Sequence, residues 1–248
     1  MRDTTAQRWV QRWDAQQERY IPDREERFRV VIDVVRAVVG AEAACVVDLG
    51  CGPGSLSARI ARALPRAKVV GVDADPLLLG LGAANVGPRV TLVEADLTHP
   101  GWPERTGLTG PWDAAVSSTA LHWLEPDALA ALYRTLAERL RPGGVFVNAD
   151  HLGLGQPTVD AIADTVRLAR AARVGTDANE DWAQWWQALG EDEELAPLLD
   201  GRSARAVAHS GENGLTVSQH ADLLRSAGFA EAAPVWQFGD DHVLVAVR

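Results

Sequence analysis

Apolar runs of five or six residues recur along this chain, spaced so that a helix fits between them. The runs at 44–49, 68–73 (KVVGVD), 90–95, 112–117 (WDAAVS) and 145–149 have the length and branched-residue content of buried strands. The segments between them have helical period. Residues 55–64 end at Pro65, residues 76–84 follow Asp75 as an N-cap with Pro76 in the first turn, and residues 127–140 close at Arg141-Pro142-Gly143-Gly144. Strands alternating with helices of this length predict βαβ units and a parallel sheet.

Two helical segments come before the first strand. Residues 5–20 carry Trp9, Trp13 and Tyr20, and Pro22 breaks the pattern ahead of a second helix over 23–39 that Asp23 is placed to cap. The alternation stops after His151. Residues 158–200 are helical in pattern throughout, and the acidic run Glu191-Asp192-Glu193-Glu194 reads as a solvated helix start. A last helix over 217–226, stopped by Gly228, leads to apolar runs at 233–238 and 242–247 that predict a closing antiparallel pair. The segment 158–213 is therefore an insertion over the carboxyl edge of the sheet.

Composition narrows the function classes. At 248 residues and 47% hydrophobic content, the chain is long enough for one large α/β domain. A formal net charge of −10 argues against a nucleic-acid-binding surface. The two cysteines, Cys45 and Cys51, make no disulfide framework, which sets a reduced cytoplasmic location as the expectation. The polar N-terminus is no signal peptide, and no apolar run approaches the roughly 20 residues of a membrane helix. No tight cluster of ligand residues suggests a metal.

The chemistry concentrates at Asp48-Leu49-Gly50-Cys51-Gly52-Pro53-Gly54-Ser55, a tight glycine turn between the first strand and the next helix. Open α/β sheets bind ligands at such strand ends. A dinucleotide fingerprint needs a third glycine where Ser55 stands, and Asp48 would repel a pyrophosphate. A carboxylate there suits a ligand bearing an ammonium and a sulfonium. With the acid at Val72-Asp73, the acid at Glu94-Ala95-Asp96-Leu97, the strand Trp112-Asp113-Ala114-Ala115-Val116-Ser117 and the turn Leu140-Arg141-Pro142-Gly143-Gly144, the chain resembles the class I S-adenosylmethionine-dependent methyltransferases of small-molecule type. The resemblance covers the core and the closing strands and leaves out 158–213.

The resemblance implies a doubly wound, Rossmann-like, seven-stranded mainly parallel sheet with an antiparallel C-terminal pair and a helical insertion after strand five. It divides one domain into an N-terminal helical cover (1–40), a cofactor-binding core (41–150), a substrate lid (151–213) and a closing segment (214–248). It implies S-adenosyl-L-methionine as cofactor. Gly50, Gly52 and Gly54 would approach its methionine part, and Asp48 would either brace the loop or reach the ammonium. Asp73 with Ala74 would take the ribose hydroxyls, and Asp96 with Leu97 would mark the adenine, unless Asp96 only caps a turn. Ser117 and Ser118 would lie at the methionine end. Arg24 or Arg27 would pair with the methionine carboxylate, or else make a surface ion pair, and Tyr20 would close the pocket.

Methyl transfer to a hydroxyl is helped by a base, and histidine is the usual one. His151, after strand five, is the first candidate, with plain pocket lining as the alternative. His122, in Leu121-His122-Trp123-Leu124, is the second, with anchoring of a short helix as its alternative. His209 and His220 are weaker. Trp182, Trp185 and Trp186 fall on one helix face, either as core or, with one or two rings turned outward and Trp123 beside them, as walls for a planar, apolar or cationic acceptor. Arg202 and Arg205 are candidates for an acidic substrate. The expected function is O-methylation of a small molecule ahead of N- or C-methylation, by a monomer or homodimer with no nucleic-acid or membrane partner. A non-methylating rearrangement or cyclisation and a non-catalytic cofactor-retaining module are the alternatives.

Overall fold

The computed structural model describes residues 1–40, 43–203 and 212–248. In chain order the elements are α1 (Asp3–Tyr20), α2 (Arg24–Val39), β1 (Cys45–Leu49), α3 (Ser55–Ala63), β2 (Lys68–Asp73), α4 (Pro76–Ala83), β3 (Val90–Glu94), α5 (Trp102–Arg105) and β4 (Trp112–Ser118). They continue with α6 (Pro126–Arg139), β5 (Leu140–His151), α7 (Pro157–Val174), α8 (Trp182–Gly190), α9 (Ala196–Ser203), α10 (Val217–Ala227), β6 (Glu231–Phe238) and β7 (Asp241–Val247). Short 3₁₀ turns at Leu121–Trp123, Thr176–Ala178 and Glu193–Leu195 link some of them.

The strands form one seven-stranded sheet in the order β3-β2-β1-β4-β5-β7-β6. β1 to β5 are parallel, and β7 enters antiparallel between β5 and β6. The chain order reverses between β1 and β4, so the ligand crevice of such a sheet opens at their carboxyl ends. The central strands read as continuous apolar runs because both faces are covered. On one face Tyr133, Leu132 and Leu136 of α6 and Leu224 of α10 pack over Phe146. On the other, Phe28, Val31 and Val35 of α2 and Leu56 and Ile60 of α3 pack over Val46, Val69 and Val116.

β5 is longer than the five-residue apolar run suggests. It takes in Arg141–Gly144, where Gly143 donates its N–H to the Arg248 carbonyl at 2.7 Å, and it runs on through Asp150 and His151. That extension, still paired with β7, carries Asp150 and the candidate His151 beyond the end of β4.

α1 and the insertion make a third layer over this edge. Trp9, Trp13, Leu77, Leu81, Trp185, Leu189 and Leu195 form their own buried cluster, joining α1, α4 and α8. Ion pairs stitch its rim. Asp192 accepts from Trp9 Nε1 at 2.8 Å and from Arg8 at 2.8 Å, Glu194 accepts from Thr5 Oγ1 at 2.9 Å and pairs with Arg2, and Arg12 pairs with Glu180 at 2.6 Å. The acidic run starts the 3₁₀ turn, Asp192 accepting the Glu194 N–H at 3.1 Å with Glu191 and Glu193 exposed, and through Asp192 and Glu194 it also clamps α1. Exposed pairs of this kind contribute at most about 1 kcal/mol each, so the tryptophan cluster holds the layer and the pairs set its register. Asp23 also departs from expectation. It sits at the α2 N-cap without capping through its side chain, because its carboxylate is taken by Arg170 at 2.7 Å. Asp75 does cap α4, accepting from Leu77 N–H at 2.9 Å.

Candidate active site

The glycine loop turns sharply between β1 and α3, with positive φ at Gly50 (64°), Gly52 (54°) and Gly54 (76°). The three glycines serve different neighbours. A Cβ at Gly50 would collide with Ala120, and one at Gly54 with Val86, so these two are required by protein packing. A Cβ at Gly52 would point toward Trp13, 3.6 Å from its ring, so this glycine is the one that bares backbone to the crevice. Asp73 ends β2 half-buried and holds the loop. Its carboxylate accepts the Gly52 N–H at 2.7 Å and the Asp75 N–H at 2.8 Å. Burial pushes it up to about 6, against the pull of those backbone donors. Asp48 lies beneath the loop, accepting from Ser57 Oγ of α3 at 2.5 Å, and burial lifts it to about 7. It braces the start of α3 and also borders a small void of about 50 Å³ shared with Arg24, Ser55 and Ser118.

Beside the loop opens a cavity of about 330 Å³. Its floor is Gly50, Gly52, Asp73 and Asp75 from the sheet edge; its roof is Trp13, Gln17 and Tyr20 from α1 with Trp182 and Trp186 from α8. Thr119, Ala120, His122 and Trp123 after β4, His151 after β5, and Glu212 complete it. Tyr20 ties the roof together, its hydroxyl accepting the Trp182 N–H at 3.1 Å. Thr119 has φ of 51°, in the left-handed region that costs a β-branched residue strain, and it marks the turn that swings His122 over the crevice.

His122 is the most tightly set of the polar side chains here. Its Nδ1 lies 2.8 Å from Asp150 Oδ1 and 3.0 Å from Oδ2. Asp150 is fully buried and also accepts the His151 N–H at 2.9 Å. Burial opposes charge on both groups, yet their attraction and hydrogen bond win, raising His122 above its ordinary range and holding Asp150 below its own. A carboxylate kept ionised accepts only, so Nδ1 keeps its proton in either charge state, and in the neutral ring Nε2 holds the lone pair. His151 also lines the cavity. Its Nδ1 stands 3.3 Å from Asp240 Oδ2, out of hydrogen-bonding alignment, and Asp240 is held by Arg167 at 2.8 Å.

Several side chains singled out in the sequence lie elsewhere. Asp96 is exposed and caps its own turn, accepting from Thr98 N–H at 2.8 Å and Thr98 Oγ1 at 2.7 Å, while Leu97 packs on the core. Ser117 is buried on the Leu49 carbonyl at 2.9 Å and ties β4 to β1. Arg27 is wholly buried, bonded to Asp241 at 2.7 Å and Ser118 Oγ at 2.8 Å, so it braces the sheet edge instead of offering a free cation. Arg24, 5% exposed, pairs with Asp14 at 2.7 Å and borders the small void beside the loop. Trp185 is fully buried against Trp9 and Trp13 and reaches no ligand space. Ala74 is half-buried in the bend after β2. Arg202 pairs with Asp75 at 2.7 Å and covers the Trp186 ring; Arg205 and His209 lie outside the described residues. His220 is buried against the Tyr133 hydroxyl at 2.7 Å, on the helix layer under the sheet. Asp150, Thr119, Gln17 and Glu212 are site residues that pattern and motif passed over.

A family model described as a methyltransferase domain matches residues 46–144. Among curated proteins, the chain is 39% identical over 134 residues to a trans-aconitate 2-methyltransferase of an Azoarcus species, covering 54% of this chain and 49% of that protein. It is 31% identical over 219 residues to a trans-aconitate 2-methyltransferase of Methylobacterium radiotolerans, covering 88% of this chain and 69% of that one. The chain belongs to the class I S-adenosylmethionine-dependent methyltransferases. Its match to the Azoarcus methyltransferase spans about half of that relative's length. Among solved structures, the magnesium protoporphyrin IX methyltransferase of Synechocystis superposes with a TM-score of 0.57 at 17% identity, covering 94% of this chain and 86% of that one, a likeness of fold. The glycine loop and Asp73 stand at the carboxyl ends of β1 and β2, and the cavity, walled largely by aromatic rings, opens beside them.

Proposed function

We propose that this chain transfers a methyl group from S-adenosylmethionine to an oxygen atom of a small molecule enclosed in the cavity. The observation that carries the proposal is that one cavity holds both ends of the chemistry. Gly52, Asp73 and His122 all line it under a roof of tryptophans, with Asp150 bonded to the His122 ring. The residues fit the cofactor. Gly52 leaves open the space a Cβ would fill, and the half-buried Asp73 carboxylate retains acceptor capacity for a ribose diol beyond the two N–H bonds it takes. Bound there, the cofactor supplies an electrophilic methyl on a sulfonium. The protein's share is alignment, exclusion of water by the α1–α8 roof, and removal of a proton.

His122 suits the last task better than His151. Its Nδ1–H is fixed by a buried carboxylate, so its Nε2 is a lone-pair nitrogen with a set orientation and raised basicity. A base of this kind serves a nucleophile that arrives protonated, which favours a hydroxyl acceptor. The trans-aconitate of the relatives' names offers a carboxylate, already ionised, that needs no base.

Calorimetric titration with S-adenosylhomocysteine tests the donor half. The wild type is expected to bind, and Asp73→Ala to bind about 100-fold more weakly, the size of two hydrogen bonds to a charged group. Absence of binding by the wild type, or undiminished binding by the variant, would remove the cofactor site from the crevice.

A further inference from the structure

Resting on the methyl-transfer reading, we infer that the acceptor is a hydroxylated aromatic compound carrying no negative charge, and that an amine-bearing one is preferred. Three features of the acceptor end of the cavity lead there.

The first is the wall. Trp123 packs beside the His122 ring with centroids 4.7 Å apart, and Trp182 and Trp186 meet edge to face at 5.6 Å across from it. Indole faces in an enclosed space reward a flat ring by stacking and a cation by their quadrupole. They have little to offer a flexible polyanion.

The second is charge. None of the described residues that line this cavity is a lysine or arginine, and the carboxylate beside His122 is Glu212, since Asp73 is held by the glycine loop and Asp75 by Arg202. The arginines packed around it are held by carboxylates of the protein itself. Arg12 meets Glu180 at 2.6 Å, Arg24 meets Asp14 at 2.7 Å, Arg27 meets Asp241 at 2.7 Å and Arg202 meets Asp75 at 2.7 Å. A tricarboxylate entering here would be desolvated beside Glu212, with no guanidinium pair to offset the loss. Glu212 lines the cavity next to His122, since the N–H of the following residue, Asn213, bonds the His122 carbonyl at 2.9 Å, so an anion stands near the base for an ammonium to meet.

The third is the base. The His122–Asp150 pair prepares Nε2 to take a proton, and an aromatic hydroxyl is the oxygen nucleophile whose acidity a histidine can meet. In the transfer the hydroxyl oxygen would form the new O–CH₃ bond as the donor's S–CH₃ bond breaks and its electron pair returns to sulfur, leaving S-adenosylhomocysteine, while the O–H bond breaks and the proton passes to Nε2.

The test uses a charge series on one ring system: tyramine (cationic), tyrosol (neutral) and 4-hydroxyphenylacetate (anionic), with trans-aconitate as the polyanion. Binding is measured by calorimetry to the full chain saturated with S-adenosylhomocysteine. Tyramine is expected to bind tightest and at least ten times more tightly than 4-hydroxyphenylacetate, with tyrosol between them. Glu212→Gln is expected to narrow the tyramine advantage and leave tyrosol unchanged. Trp182→Leu with Trp186→Leu is expected to weaken all three aromatic ligands together while S-adenosylhomocysteine still binds. Tighter binding of trans-aconitate than of any aromatic, equal binding across the charge series, or binding of none of the four by the loaded protein overturns the inference. Failure of S-adenosylhomocysteine itself to bind would instead overturn the methyl-transfer reading beneath it.

Discussion

His122→Ala is expected to lower kcat by about 10²- to 10⁴-fold, the range for losing a positioned general base, while S-adenosylhomocysteine affinity stays near that of the wild type. The separation follows from geometry. His122 stands at the acceptor end of the cavity, whereas Gly52 and Asp73 meet each other at the donor end. Asp150→Asn is expected to act through His122. It removes the carboxylate that raises the ring's basicity and leaves an amide that can no longer fix the Nδ1–H tautomer as firmly. The double variant should then lose little more than His122→Ala alone, because the two side chains act as one unit.

The pH dependence carries the same signature. The active form needs neutral His122, and its pKa is raised above the ordinary imidazole value of 6.5, so kcat should climb with pH through a limb above that value. In Asp150→Asn the limb should move downward. The linked stability has the opposite sign. The charged pair stabilises the fold fully below the unfolded-state pKa of the histidine, and that contribution fades as pH rises through the raised folded value. Turnover thus increases over the window in which the pair's contribution to stability declines. A rate independent of both residues across pH would remove the dyad from catalysis.

Trp185→Ala is expected to cost about 3–5 kcal/mol of stability, read as a lowered urea midpoint, as for other large aromatic truncations in closed cores. Trp185 is fully buried and touches Trp9, Trp13 and Trp186 with ring centroids 5.7, 5.1 and 5.0 Å apart. It therefore keys α8 to α1, and α1 carries the Trp13, Gln17 and Tyr20 part of the roof. The same variant should weaken S-adenosylhomocysteine binding, because a roof no longer seated on its cluster cannot hold water out of the crevice. Trp185→Phe keeps a ring and discards an indole N–H that has no partner, so it should lose much less. Equal losses from Phe and Ala would mean that the site collapses around any smaller side chain.

The comparison of these two residues shows which parts of the molecule could be read from the chain. The strand–loop–helix unit at Asp48–Ser55, the acid at Asp73 and the closing strand pair are local signals, each contained in a few neighbouring residues, and the sheet order places them as their pattern implies. Asp150 carries no such signal. The apolar run of strand five stops before it, and its partner His122 is 28 positions away. The spacing of Trp182, Trp185 and Trp186 marks one helix face but not its direction. α8 sits edge-on, so the middle ring enters the core and the outer two border the cavity. The reach of Asp192 to α1 is hidden for the same reason, its partner Trp9 lying 183 positions back along the chain. Asp96 shows the converse. Its position after the third strand matches a motif, and its Oδ1 also caps a local turn through Thr98 two residues away, a bond that the motif does not reveal. Thr119 is a single left-handed residue, legible only once the backbone is folded.

The central claim is that one cavity holds the methyl donor at Gly52 and Asp73 and presents it to the His122–Asp150 base. A crystal structure of the full chain with S-adenosylhomocysteine tests it most directly. The ribose hydroxyls are expected on the Asp73 carboxylate, the methionine part along the Gly50–Gly52 backbone toward the Arg24 void, and the sulfur turned into the space bounded by His122, Trp123 and Trp182. A ligand whose ribose lies away from Asp73, or whose sulfur is walled off from His122, would contradict it.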